Sequence, residues 1–104
     1  MPKICREDDS FSTGHTCDAT SKLAAPSSSL ANTTVFVEDK LVARKGDPTK
    51  SHDILVGLNC TPHTSSIVGT CSTNVFVKGI GVARIGDAVD AGAMTGGAST
   101  VSVN

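Results

Sequence analysis

The sequence predicts a small all-β fold of three β-hairpins arranged about a pseudo-threefold axis. Three observations predict it. Val35-Phe36-Val37 returns 40 residues later as Val75-Phe76-Val77, and across residues 35–47 and 75–87 eight of thirteen positions are identical. Fragments of a third copy stand at the two ends of the chain. Gly, Ser and Thr together make up about a third of the 104 residues, with 11 Val but only three Phe and neither Tyr nor Trp. Small β-formers are plentiful and bulky core residues are scarce, which suits short strands joined by turns rather than helices.

The first element in chain order is half a repeat. Lys3-Ile4-Cys5-Arg6 followed by Asp9 matches Leu41-Val42-Ala43-Arg44 followed by Asp47. Its missing first strand lies at the far end of the chain, where Val101-Ser102-Val103 matches Val35-Phe36-Val37. The N- and C-terminal strands are therefore expected to meet and complete the third hairpin, leaving no frayed end. Cys5 aligns with Ala43 and Ala83 and reads as a small buried side chain.

The two intact copies follow. Each pairs a Val-rich strand with a second strand across Glu38-Asp39-Lys40 or Lys78-Gly79-Ile80-Gly81. Each closes on Gly46-Asp47 or Gly86-Asp87, where Gly permits positive φ and Asp bonds nearby backbone. Arg44 and Arg84 precede those aspartates by the same distance, as expected of an ion pair holding a corner. Between hairpins, residues 10–33, 48–66 and 88–98 read as Ser/Thr/Gly/Pro-rich connections. Ser27-Ser28-Ser29 and Gly96-Gly97 are turn material, and Ser21–Ala25 is the one stretch that could form a helical turn. Residues 1–104 are read as one domain.

Composition removes several function classes. Charged residues are 18% and the formal net charge is −1, so there is no basic footprint for nucleic acid. No apolar run approaches the ~18 residues of a membrane span. The first nine residues, turning acidic at Glu7-Asp8-Asp9, predict no signal peptide. Cys5, Cys17, Cys60 and Cys71 are accordingly expected to be reduced thiols or metal ligands, with a disulfide-linked extracellular domain as the alternative.

The histidines carry the chemical signal. His15 follows Asp9 by six residues and His52 follows Asp47 by five, so each trails its hairpin at nearly the same place. Cys60-Thr61-Pro62-His63 is a C-x-x-H pair, expected in a loop. Pseudo-threefold folding would gather these connections at one end, bringing His15, His52, Cys60 and His63 together as a closed site for one structural Zn²⁺ or Fe ion. Cys17, two residues from His15, competes with Cys60 as the thiolate. Asp18 and Asp53 are the nearby carboxylates, expected to orient a ligand imidazole. Gly79-Ile80-Gly81 is no dinucleotide loop, because Arg84 occupies the third glycine position and a strand follows. Neither Gly-x-Ser-x-Gly nor His-Glu-x-x-His occurs, and the chain is not expected to be an enzyme.

These residues resemble the PAAR-repeat spike-tip proteins, named for a Pro-Ala-Ala-Arg tetrapeptide before Gly-Asp. The tetrapeptide is Leu41-Val-Ala-Arg44 and Gly81-Val-Ala-Arg84 here, with Lys3-Ile-Cys-Arg6 as a degenerate third, and no copy begins with Pro. The resemblance covers nearly the whole chain. It implies a small all-β cone with a metal near its apex, and a mechanical role: the tip of a membrane-piercing contractile injection device. A monomer of this kind would cap a trimeric β-helical spike, one tip per trimer, and touch the target cell membrane transiently. Val35, Val37, Val75, Val77, Val101 and Val103 are the expected docking residues at the base. A phage tail, and hence a virion, is preferred to the bacterial type VI secretion apparatus, since no toxin or adaptor extension is expected at either end. The rival from another class is a small metalloenzyme with an open site at the same His/Cys set.

Overall fold

In a computed structural model, residues 1–26, 31–64 and 66–104 are described, and among them the chain is all-β with no helix. Ten short strands form five antiparallel hairpins. They are β1 (Ser10–Ser12) with β2 (Thr20–Lys22), β3 (Phe36–Val37) with β4 (Lys40–Leu41), and β5 (His52–Val56) with β6 (Asn59–His63). β7 (Phe76–Val77) pairs with β8 (Ile80–Gly81), and β9 (Ala88–Val89) with β10 (Gly92–Ala93).

The hairpins hang on a threefold lattice of backbone hydrogen bonds. The Cys5 amide donates to Ala83, Ala83 donates to Ala43, and Ala43 donates to Cys5, at 2.9, 2.9 and 3.0 Å. That ring closes on itself. Single β-bridges link Ile4 to Arg84, Arg6 to Val42 and Arg44 to Val82 with the same cyclic order. Only small side chains fit where three strands converge, which explains Cys5, Ala43 and Ala83 at these equivalent positions; all three are buried.

The split repeat is complete. The Ile4 amide donates to Val101, as Val42 donates to Val35 and Val82 to Val75. Lys3 bridges Ser102. The degenerate copy also keeps its corner: Asp8, at φ 69°, takes the left-handed position that Gly46 and Gly86 occupy at φ 90° and 96°. Asp is among the few residues that tolerate it. In every copy the arginine amide donates to the following aspartate carboxylate, at 2.7 Å for Arg6, 2.8 Å for Arg44 and 2.7 Å for Arg84. The Arg6 and Arg84 guanidinium groups fork onto Asp9 and Asp87, while Arg44 also reaches the Val77 carbonyl.

Two apolar layers flank the ring. Ile4, Val42 and Val82, one position before it, pack with Ala98 and Val103 and are covered by Val37, Val75, Val77 and Val101. On the other side Phe11, Leu23, Val68, Val89 and Met94 gather against Cys5, Ala43 and Ala83. Of the six expected docking valines, Val103 is thus buried and Val37, Val75, Val77 and Val101 are half-buried against the first layer. Val35 is exposed. Strand alternation turns Phe36 and Phe76 outward instead, each 56% exposed.

The connections hold more structure than expected. Hairpins β1–β2, β5–β6 and β9–β10 lie inside residues 10–33, 48–66 and 88–98. Residues 21–25 form no helical turn: Ser21 and Lys22 belong to β2, and Leu23 is a fully buried bridge residue. A tertiary pairing with Thr49 overrides local propensity there. The Ser27–Ser29 turn expectation falls outside the described residues.

Candidate metal centre

Three of these extra hairpin regions meet on the far side of the second layer. His15 sits in the β1–β2 loop, His52 opens β5, His63 closes β6, and Asp90 occupies the two-residue turn between β9 and β10. His52 and His63 are cross-strand partners, so the hairpin presents two imidazoles side by side. Asp90 is held at φ 55°, which its turn requires.

The four ligand atoms, one from each residue, lie within 4.8 Å of one another. Asp90 Oδ2 is 2.7 Å from His52 Nε2, 2.9 Å from His15 Nε2 and 3.3 Å from His63 Nδ1. Edges of a tetrahedron with metal–ligand bonds of ~2.0–2.1 Å are about 3.3 Å long. The set therefore has the donor types and number for a four-coordinate divalent ion, which would draw the four atoms to equal spacing. His63 Nδ1 is moreover a buried ring nitrogen with no hydrogen-bond partner, as expected of a ligand atom.

The surroundings aim these groups. His52 is 5% exposed, with its ring edge-on to Phe11 at 5.8 Å. Its Nδ1–H donates to the Lys50 carbonyl at 3.0 Å, which fixes the ring with Nε2 turned into the cluster, 2.7 Å from Asp90 Oδ2. The His15 amide donates to Thr13 Oγ1, fixing that loop. Gly14, at φ 76°, permits the close approach of His15 to Asp90, because a Cβ there would meet the Ala91 carbonyl oxygen at 2.4 Å. Burial disfavours a charged Asp90. The hydrogen bonds from His52 and His15, with the charges of His15 and His63, nevertheless hold its carboxyl below the usual carboxylate range.

Cys60 does not join the set. Its sulfur is bonded to Cys17, with Cα atoms 5.9 Å apart, so neither offers a thiolate. The reason is strand geometry. C-x-x-H is a ligand spacing in a turn, but Cys60 and His63 lie on the extended strand β6, where residues three apart point to opposite faces. Cys5 and Cys71 are free, and burial pushes the Cys5 thiol up. Reduced thiols were thus the wrong expectation for Cys17 and Cys60. Asp18 does not orient an imidazole either; it accepts the Asp53 amide at 2.6 Å and ties the β1–β2 loop to β5.

Asp90 is the residue that sequence reasoning missed. It stands three residues after Asp87, as His15 and His52 trail Asp9 and Asp47. Each repeat corner is thus followed by one member of the cluster, so a search by position finds His15, His52 and Asp90, while His63 enters as the cross-strand partner of His52.

A family model of the PAAR motif matches residues 27–96, which include both intact repeats, His52, His63 and Asp90. The chain belongs to the PAAR-motif family. No curated protein sequence matches it. The PAAR tetrapeptide corresponds to the strand that threads the ring: Val42-Ala43-Arg44 and Val82-Ala83-Arg84 place an apolar residue in the first layer, alanine at the ring and arginine on its aspartate. Neither copy has the leading Pro: the Leu41 amide donates to the Glu7 carboxylate at 2.8 Å, a bond Pro could not make, and a Cβ on Gly81 would meet the Ser72 carbonyl oxygen at 2.3 Å.

Proposed function

We propose that this PAAR protein is the rigid tip of a contractile injection device, seated on the blunt end of a trimeric β-helical spike. The observation that carries this reading is the closed ring of Cys5, Ala43 and Ala83. One chain with three equivalent strands can meet three identical chains through equivalent contacts. Val35, Phe36 and Phe76 point outward at the end bearing the first apolar layer. They supply apolar contact area, and the half-buried Val37, Val75, Val77 and Val101 back them. At the opposite end one Zn²⁺ or Fe ion, held by His15, His52, His63 and Asp90, would lock loops from three repeats. Such an ion supplies folding free energy and rigidity, with all four positions taken by protein and none left for a substrate. A contractile phage tail is the preferred setting, with the type VI secretion spike as the alternative.

The test is to mix the chain with candidate trimeric spike proteins and measure stoichiometry by light scattering. One tip per trimer, from a tip that is monomeric alone, is expected. Three tips per trimer, or a small-molecule turnover abolished by the His52→Ala change, would return the metalloenzyme reading.

A further inference from the structure

Hairpin β5–β6 extends beyond the His52–His63 pair by four residues per strand, roughly 13 Å. Its far end is apolar and bare. Leu58 is 97% exposed, and Leu55 and Val56 are about half exposed. No Asp, Glu, Lys or Arg occurs from Ile54 through His63. Water-exposed leucine at a turn serves no folding purpose, and Asn or Asp would ordinarily stand there.

The geometry narrows what can cover it. A stable protein interface needs about 800 Å² from each partner. Three aliphatic side chains, Leu55 and Val56 at the end of β5 and Leu58 on the two-residue turn, fall well short of that. A lipid boundary sets no such requirement for area or shape. The two-stranded hairpin leaves the outward backbone groups of both strands unpaired, so it suits the hydrated headgroup–acyl boundary, where only the side chains leave water, and not the bilayer core. That boundary disfavours charge, and the hairpin end has none. Lysines that would suit an anionic surface are absent from the hairpin, so a neutral interface is the better match. The Cys17–Cys60 disulfide, one residue from the turn-closing Asn59, braces the hairpin against the β1–β2 loop.

We infer that the Leu55–Val56–Leu58 end of hairpin β5–β6 inserts into the headgroup–acyl boundary of a zwitterionic bilayer, as the first element of the tip to do so. This rests on the spike-tip reading and names the element that meets the membrane.

The chain has no Trp or Tyr, so Leu58→Trp places a single emitter at the hairpin end. With phosphatidylcholine vesicles its emission is expected to shift to the blue and to be quenched by brominated acyl chains. Vesicle co-sedimentation of Leu58→Asp is expected to fall about tenfold or more relative to the unmodified chain, the transfer free energy of one leucine side chain. Its melting temperature and its one-per-trimer spike binding should stay unchanged. Emission that does not move at saturating lipid, or equal sedimentation of Leu58→Asp, overturns the inference and leaves spike capping standing. A dimer that forms without lipid and is lost in Leu58→Asp would assign the end to a second copy and overturn it too. Failure of the unmodified chain to bind any spike would instead undo the underlying reading.

Discussion

The amide of Ile4 donates to the carbonyl of Val101 at 3.0 Å, joining the two ends of the chain as neighbouring strands. The bond repeats the Val42–Val35 and Val82–Val75 links, so the termini behave as one interrupted hairpin. Val103 adds its amide to Pro2 and its side chain to the first apolar layer.

Deleting residues 99–104 should therefore remove a third of the base. Loss of Val101 and Val103 burial alone is worth about 3–6 kcal/mol, against a total of about 5–15 for a domain. Denaturant titration should show the truncated chain largely unfolded or with a much lower midpoint. A midpoint equal to that of the full chain would break the split-repeat account.

The junction has a pH-sensitive clasp. Glu38 accepts from the Thr100 hydroxyl and amide at 2.6 and 3.0 Å, and from Arg6 at 3.1 Å. The Thr100 hydroxyl and amide, with the Ser99 amide, pull its carboxyl down to about 2. A depressed folded-state value means the contribution is present above the unfolded value of 4.5 and is lost as pH falls toward 2. The Glu38→Gln variant should melt below the unmodified chain at pH 7, and the gap should narrow between pH 4.5 and 2. Thermal melts across that range decide it, and a pH-independent gap would assign the effect to packing.

Much of this was legible in the sequence, and the reason is the repeat. Identity at Val42-Ala43-Arg44 records positions where a threefold ring admits few side chains, and the recurring Val35-Phe36-Val37 marks the strand beside it, so together they reveal both the hairpins and the split copy. The long connections lacked that signal. Hairpins β1–β2 and β9–β10 are each stabilised by contacts to distant elements, such as Phe11 to Met94, which no local pattern announces. Three of the four cluster members are legible in the sequence. His15, His52 and His63 were recognisable by residue type, whereas Asp90 was not. Cys60 carries the C-x-x-H ligand spacing, but strand β6 turns it away from His63 and onto Cys17.

That pairing sets up a direct comparison. Purified protein should hold about one Zn²⁺ or Fe ion per chain, and chelation should lower its melting temperature. Asp90→Asn and His52→Ala should each reduce metal content. Gly14→Ala should do so without touching a ligand, since its Cβ would push the His15 loop away from Ala91. Cys60→Ser should retain the ion while losing up to about 4 kcal/mol of stability, the chain-entropy value for a link spanning 43 residues. Elemental analysis beside calorimetry separates the cases. Metal lost with Cys60→Ser but kept in Asp90→Asn would reinstate a thiolate ligand.

The base offers the sharpest test of what the threefold is for. Phe36 and Phe76 occupy equivalent places in two repeats and are equally exposed, while the third repeat has Ser102 there. If three identical spike chains each present one apolar site, two receive phenylalanine and the third meets a hydroxyl. Phe36→Asp and Phe76→Asp should then weaken spike binding by similar factors, on the order of 100-fold each, as expected for loss of a well-packed aromatic anchor. Ser102→Phe should strengthen it, provided the ring still closes. None of the three should change metal content, because the first apolar layer and the ring lie between these positions and the His/Asp cluster. Binding titrations on one trimeric spike, with metal measured on the same samples, are the measurement. Unequal losses at Phe36 and Phe76 would mean that the spike reads the base asymmetrically, and no loss at either would move docking to another face.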